Sequence, residues 1–409
     1  MTFLKQWAEA AYTSVGFFWM ALWAFILGYV ISSMIQVFVT EKRMQKTMGV
    51  NESKSVLLGT FFGFISSSCS FAALASTKSL FKKGASFVSS VAFMIASTNL
   101  VIELGIIIAI FLGWQFFVGE YIGGIIVILF SWLLIKLIKP KKLVKQAREK
   151  LRQEEDDDMA MDDSKDWKKE IVKETSWAKV AKKYKMEWGM VWKDVTLGFT
   201  VAGIIAVFVP NSFFQTLFIN SGPDVTHYSF LEILEHVVVG PVAAFMTFIG
   251  SMGNIPLAAL LFGKGVSFAG VMAFIFSDLV VFPVLRINAK YYGWKMSLFM
   301  LLLLFLSLVG ATLILQYVFE WFHLMPDPSR VRMESSDYFQ WNYTTFLNIG
   351  FLIVTGYLVY IGFFKHKDVK QGMGHMAPKS QLFEKILKIL AMICYAWLII
   401  GWILKFLIL

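Results

Sequence analysis

The chain has 409 residues and a formal net charge of +10 at pH 7; 57% of its residues are hydrophobic and only 16% are charged. Soluble domains contain about 45–50% apolar and about 25% charged residues, so this composition argues against a soluble enzyme. The basic residues cluster between apolar runs, which indicates contact with anionic lipid headgroups and argues against nucleic acid as a partner.

Long apolar runs with few charges predict membrane-spanning helices along most of the chain. A bilayer core about 30 Å thick is crossed by about 20 apolar residues in a helix, which satisfies its own backbone groups in lipid. In chain order the runs cover residues 17–39, 85–112, 121–138, 195–219, 296–318, 345–364 and 386–409. The sequence therefore predicts an all-α, polytopic integral membrane protein whose surroundings are the lipid bilayer.

Charge patterning divides the chain into parts. The segment KPKKLVKQAREKLRQEEDDD is typical of a solvated linker, and docking of a partner is the alternative interpretation. The expected parts are a first membrane repeat (1–138), a charged cytoplasmic linker (139–193), a second membrane repeat (194–320), and an extracytoplasmic loop with two C-terminal spans (321–409).

The two membrane halves resemble each other in sequence. The segment LFKKGASFVSSVAFM from Leu80 aligns without gaps with LFGKGVSFAGVMAFI from Leu261. Apolar segments align easily by chance, but the shared KGxSF core is polar and small. The same offset also matches Gly59, Phe64 and Ser70 with Gly240, Phe245 and Ser251. These matches predict an internal repeat.

Basic residues predict the orientation of the repeats, because Lys and Arg mark short cytoplasmic loops. Basic residues follow Thr40 and also occur at Lys82, so residues 54–82 must enter the membrane and return to the same side. That stretch is too short for two crossings, and it carries a polar break, SSSCS. We expect a re-entrant helical hairpin there; a single tilted span is the alternative.

The second half starts from the opposite side of the membrane, so its hairpin, with the tip GSMGNIP, should enter from outside. This reasoning predicts an inverted repeat with two re-entrant helical hairpins and about eight full transmembrane spans. The N-terminus is then periplasmic and the linker is cytoplasmic. The segment GWQFFVGEY has no Lys or Arg and is expected to be an extracytoplasmic loop.

Broken helices of this kind form the central substrate site of many secondary transporters, near the bilayer midplane. Helix ends at such tips present free N–H groups that suit an anionic or oxygen-rich solute. The alternative is that the serines only pack helices. The candidate substrate-binding residues are Ser67, Ser68, Cys69, Ser70, Asn99, Gly250, Ser251, Gly253 and Asn254.

Three further residues have candidate roles in metal binding or coupling. Cys69 is a candidate soft-metal ligand, because thiolates bind soft metals and metalloids. Asp278 and Glu103 are candidate coupling-ion or proton sites, because an ionisable group within a span is a functional hypothesis by default. A structural pairing of Asp278 with Arg286 is the alternative. Asn99 and Glu103 are expected to share one helix face, one turn apart.

Enzyme motifs are missing from the sequence. HExxH, GxSxG, a P-loop and a zinc-like cysteine pair do not occur, so we expect neither an enzyme nor a bound cofactor. The lack of a nucleotide site also argues against an ATP-driven pump.

The segment SSSCSFAALASTKSLFKKGASFVSSVAFMIASTNLV resembles the first signature of the predicted bacterial permease family that includes the organoarsenical efflux permeases. The segment GSMGNIPLAALLFGKGVSFAGVMAFIFSDLVV looks like its second copy. The resemblance implies a secondary permease of a bacterial inner membrane that exports a small polar solute or a soft metal(loid) species. A gated channel and a membrane structural protein are the alternatives, and a homo-oligomer is left open.

Overall fold

The computed structural model describes residues 3–38, 52–66, 70–82, 84–152, 173–222, 225, 227–247, 251–328, 338–365 and 381–408. Over these ranges the chain is helical, with no strand, which confirms the all-α class. The first half contains α1 (Phe3–Phe38), α2 (Glu52–Ser66), α3 (Ser70–Lys82), α4 (Phe87–Asn99), α5 (Ile102–Phe111) and α6 (Trp114–Ile138).

The second half follows a similar order of helices, with one additional short helix after its first helix. An amphipathic helix, α7 (Lys141–Arg152), precedes it, and two C-terminal helices, α15 (Tyr343–Val359) and α16 (Gln381–Ile408), follow it. Its helices are α8 (Glu174–Phe208), α9 (Asn211–Leu217), α10 (Phe230–Thr247), α11 (Ser251–Gly263), α12 (Phe268–Phe276), α13 (Phe282–Tyr292) and α14 (Trp294–Trp321).

The helices confirm a polytopic membrane protein but give fewer full spans than expected. Within the described residues six helical segments are long and apolar enough to cross a membrane, one of them α12 and α13 taken together (Phe268–Tyr292), and seven if α4 and α5, bent by 43°, also count as one span. The run expected over 195–219 does not qualify, because its helix ends at Phe208, before Pro210, and α9 follows. Proline has no N–H group and disfavours helical geometry in the preceding residue.

Two expected boundaries also differ from the structure. The segment GWQFFVGEY is not a loop, because α6 begins at Trp114 after Gly113, whose φ of 94° ends the preceding turn. The boundary expected at residue 193 falls inside α8, which begins at Glu174 and runs without interruption to Phe208.

Equivalent turns in the two halves have the same local geometry. Gly84 and Gly265 both adopt positive φ, 109° and 85°, in the turns between α3 and α4 and between α11 and α12. Ser86 and Ser267 then cap α4 and α12, accepting hydrogen bonds from backbone N–H groups three residues later. Matching conformations at residues 181 positions apart explain why the KGxSF core recurs in the sequence.

The two turns lie near opposite ends of α14. Next to the first turn, the ring of Phe87 lies 6.4 Å from that of Phe299, close to the start of α14. Next to the second turn, the ring of Phe268 lies 4.8 Å from that of Phe319, close to the end of α14. The N–H of Ala269 also donates to Oε1 of Gln316, at 3.0 Å.

The start of the charged linker packs on both halves. Arg148 of α7 donates through Nη2 to the carbonyl of Ala85, at 2.8 Å, and lies 4.5 Å over the ring of Phe81. Lys150 donates to the carbonyl of Lys290 in α13, at 2.7 Å. Helix α7 therefore connects the first-half turn to the end of a second-half helix.

Candidate functional site

Each half contains a helix break at equivalent positions. In the first half α4 ends at Asn99 and α5 begins at Ile102; in the second, a 3-10 turn over Ser277–Leu279 follows α12 and precedes α13. The residues before α5 and α13, Val101 and Val281, are both extended, with φ/ψ of −87°/132° and −113°/154°. A break leaves backbone N–H and C=O groups without helical partners, so at membrane depth it is tolerated only inside protein or beside a watery cavity.

The first residue of α3 contacts the break of the second half. Oγ of Ser70 donates a hydrogen bond to Oδ2 of Asp278, at 3.1 Å, across 208 positions of the sequence. Both side chains are buried, and Asp278 is 2% exposed. Two candidate residues that belong to different halves are therefore in direct contact.

A residue that the sequence analysis missed, Glu120 of α6, lies beside this contact. Its side chain is completely buried, and among the described residues neither carboxylate oxygen has a hydrogen-bond partner. Its carboxyl group lies within electrostatic range of that of Asp278. The signal was available, because an acidic residue directly before the apolar run of 121–138 is a functional hypothesis once the helix is extended to Trp114.

Glycines of α6 let both breaks approach Glu120. A Cβ added to Gly124 would stand 2.7 Å from Cδ2 of Leu100 at the first break, and one added to Gly123 would stand 2.6 Å from Cζ of Phe276 at the second. Residues 120 and 124 share a helix face. The hydroxyl of Tyr121 donates to the carbonyl of Val101, at 3.3 Å, and joins the first break to the same turn of α6.

Asn99 and Glu103 do not share one helix face, and that prediction is wrong. The break at Leu100 and Val101 separates them, so Asn99 is the last residue of α4 and Glu103 is the second residue of α5. Asn99 is buried, with no hydrogen bond to its Oδ1 from the described part of the chain. Glu103 is buried against α1, where a Cβ added to Gly28 would stand 2.0 Å from the Cβ of Glu103.

The second candidate segment lies at the start of α11. Ser251 begins this helix, and Gly253 and Asn254 belong to its first turn, so these residues are helical rather than part of a loop. Asn254 is completely buried. Helix α11 packs against α8 and α5. Four other candidates, Ser67, Ser68, Cys69 and Gly250, lie outside the described residues.

The alternative role of Asp278, a pairing with Arg286, is not observed. The side chain of Arg286 is exposed whereas Asp278 is buried, and Asp278 is hydrogen-bonded to Ser70.

The described residues contain no group of three or more His, Cys, Asp or Glu side chains that could hold a metal ion.

The arrangement offers mainly hydrogen-bond acceptors. The carboxylates of Asp278 and Glu120 are buried within electrostatic range of each other, and the hydroxyl of Ser70 donates to Asp278. Asn99 is also buried, and its Cβ lies 3.7 Å from a Cβ added to Gly124, one turn beyond Glu120 in α6. The helix start at Ser70 adds backbone N–H groups. Such a site suits a cation or a polar solute that carries its own donors.

Comparisons of the sequence with a protein family and with a curated protein both point to permeases. The sequence profile of a family described as "Predicted permease" matches residues 6–317, which include both halves. A protein of Mycobacterium tuberculosis named "Putative permease Rv2963" is 37% identical over 321 residues, which are 76% of this chain and 77% of that protein. No solved structure matches.

Proposed function

Because this chain belongs to the predicted permease family, we propose that it is a secondary permease of a bacterial inner membrane that works by alternating access. The transported species is a small polar solute or a soft metal(loid) species, and the direction is efflux. Family membership and the long apolar helices make the chain a multi-pass membrane protein of the permease class. The alternating-access mechanism, the efflux direction and the class of substrate are proposals that go beyond this membership.

The contact between Ser70 and Asp278 carries the proposal. It joins the start of α3, in the first half, to the break between α12 and α13, in the second half. Secondary transporters built from repeats bind substrate where discontinuous helices of the two repeats meet, and they open by moving one repeat against the other. A buried polar contact at the boundary between the halves is suited to such a movement.

Two sets of contacts support the proposed inverted arrangement of the halves. The equivalent turns at 84–86 and 264–267 lie near opposite ends of α14, as antiparallel repeats require. Three basic segments meet at one of these ends, where Arg148 and Lys150 of the linker contact Ala85 and Lys290. Basic residues favour the cytoplasmic side, so the linker is cytoplasmic and the N-terminus periplasmic.

The soft metal(loid) part of the proposal depends on Cys69. A thiolate is a ligand for soft metals and metalloids, and Cys69 immediately precedes Ser70 in the sequence. Export of such species is what the resemblance to the family of organoarsenical efflux permeases implies. The serines on either side of Cys69 would supply oxygen ligands.

The experiment is a sensitivity screen of a deletion strain with arsenite, antimonite and a trivalent methylated arsenical. The strain is complemented with the natural protein, Cys69→Ser, Asp278→Asn, or Cys394→Ser as the matched control; the side chain of Cys394 is half-buried in α16. We expect the natural protein and Cys394→Ser to protect the cells, and Asp278→Asn and Cys69→Ser not to.

Each result separates two parts of the proposal. Protection that survives Cys69→Ser but not Asp278→Asn removes the thiol ligand and keeps the permease. No protection by the natural protein against any of the three compounds removes the metal(loid) class. Fast flux that continues after the proton gradient is collapsed would indicate a gated channel instead.

A further inference from the structure

We propose that Glu120, together with Asp278 and Asn99, binds one small monovalent cation, a proton or an alkali ion, and that this cation couples the two halves. The coupling role rests on the proposed function. The binding itself does not, because it can be measured on purified protein without any substrate.

Four buried oxygen atoms, on α6 and at the two breaks, lack donors among the described residues. Both carboxylate oxygens of Glu120, Oδ1 of Asp278 and Oδ1 of Asn99 accept no hydrogen bond from the described part of the chain. The three side chains are 0%, 2% and 2% exposed. Burying an acceptor without a partner is unfavourable, and more so for a charged group than for a neutral one. A bound alkali ion could be coordinated by several of these atoms, and a bound proton could be shared between two of them.

The helices packed around Glu120 contribute no basic side chain at this depth. The sequences of α4 and α12 contain no ionisable residue, and α5 contains only Glu103. In α14 the ionisable residues, Lys295, Tyr317 and Glu320, lie within its first or last five positions. Two carboxylates are therefore brought together with no compensating positive charge from these helices, and like charges repel strongly in a low-dielectric interior.

The basic residues of neighbouring helices lie elsewhere. Lys136 is near the opposite end of α6 from Glu120. In α13 both Arg286 and Lys290 are exposed. In α3 the ammonium group of Lys78 lies 4.5 Å over the ring of Tyr291, towards the end of α13 and away from Asp278. With no basic side chain beside them on these helices, one bound monovalent cation would reduce the charge of the carboxylate pair from −2 to −1.

The ligand atoms select the type of ion. Carboxylate, amide and hydroxyl oxygens are hard ligands, which favour a proton or an alkali cation over soft metals. Glu120 and Asn99 come from the first half and Asp278 from the second, so a bound cation links the halves beside the contact with Ser70. Loss of the cation would leave two repelling carboxylates, which favours separation of the halves.

The test is thermal unfolding of the purified full-length protein in detergent, followed by tryptophan fluorescence. Unfolding is measured in sodium, potassium or choline chloride at equal ionic strength, over a series of pH values. A cation that binds only the folded state raises its Tm by mass action. If the site binds an alkali ion, we expect the Tm of the natural protein to be a few degrees higher in sodium or potassium chloride than in choline chloride. If it binds a proton, we expect the Tm in choline chloride to rise by a few degrees as the pH is lowered. The first result identifies an alkali ion and the second a proton.

Glu120→Gln removes the charge but keeps the shape, so it should abolish this dependence. Glu320→Gln is the matched control, because Glu320 is exposed near the end of α14, and it should leave the dependence unchanged. If Glu120→Gln does not purify as a folded protein, Asn99→Ala serves instead and should shift the cation midpoint to a higher concentration or the pH midpoint to a lower value.

The proposal is overturned if the natural protein shows neither dependence, if Glu120→Gln retains it in full, or if Asn99→Ala leaves the midpoint unchanged. Cation-dependent stability in a protein that exports nothing would refute the proposed function alone. Export by a protein whose Tm depends on neither cations nor pH would refute the cation site alone.

Discussion

Gly198 of α8 and Gly253 of α11 touch through their backbones: a Cβ added to Gly198 would stand 2.6 Å from the Cα of Gly253 and 2.5 Å from its carbonyl oxygen. Only a glycine at position 198 permits this approach, because the atoms opposite are backbone and cannot rotate away. The contact holds the start of α11, with the buried Asn254, against a long helix of the second half.

Gly198→Ala should therefore displace α11 and impair the site. We expect a loss of about 1–3 kcal/mol in the free energy of unfolding, the usual cost of overpacking, and a larger loss of protection in the sensitivity screen. Gly189→Ala is the control in the same helix, since Gly189 is exposed with no atom within 4 Å of the added Cβ. It should be neutral or stabilising. Equal effects of the two substitutions on Tm and protection would contradict this account of α11.

Ser70 and Asp278 should act as one unit. Ser70→Ala, Asp278→Asn and the double variant form a thermodynamic cycle, in which the double variant should be little worse than Asp278→Asn alone. Hydrogen bonds between membrane helices contribute about 0.6 kcal/mol on average and up to about 1.7, so the coupling energy from unfolding should lie in this range. Ser79→Ala, in the same helix, should show no coupling with Asp278→Asn. Strictly additive losses for Ser70 and Asp278 would contradict a direct contact.

Arg148 should fix the start of the linker to the membrane part. Arg148→Ala removes a hydrogen bond to Ala85 and a cation–π contact with Phe81, which together typically contribute about 1–2 kcal/mol. Tm measured by tryptophan fluorescence should fall accordingly. Lys145→Ala, in the same helix, removes only an exposed ion pair with Glu149 and should change stability by less than about 0.5 kcal/mol. An unchanged Tm for Arg148→Ala would show that α7 does not stabilise the fold.

The sequence predicted the helical class, most of the long apolar helices, and the KGxSF core that the structure places at the turns 84–86 and 265–267. These features depend on local signals: apolar run length, the KGxSF core, and glycines whose positive φ other residues rarely adopt. Such signals can be recognised in the sequence without knowing which other helices a given helix packs against.

The break at Leu100 and Val101 could not be predicted in the same way. Neither residue is a proline or glycine, and although Ser97, Thr98 and Asn99 precede the break, polar residues of this kind do not by themselves end a helix. The second break did carry a signal, because Pro283 lies at the start of α13, where its missing N–H costs nothing. Because the first break was not predicted, Asn99 and Glu103 were wrongly expected to lie on one face of a single helix.

Glu120 was missed for a related reason. The lack of Lys and Arg in GWQFFVGEY was interpreted as an extracytoplasmic loop, although the same lack of basic residues is compatible with a helix that starts at Trp114. Its electrostatic interaction with Asp278 joins residues 158 positions apart. A single sequence gives no information on contacts of that separation.

The antiparallel arrangement of the halves is tested most directly by labelling single cysteines from one side of the membrane. In a protein with Cys69→Ser and Cys394→Ser, Lys82→Cys and Gly263→Cys place one thiol near each of the two equivalent turns; Gly263 has no atom within 4 Å of an added Cβ. An impermeant maleimide applied to spheroplasts should label Gly263→Cys at once, and Lys82→Cys only after the membrane is permeabilised. Labelling of both cysteines from the same side would contradict the inverted repeat and the site built between its halves.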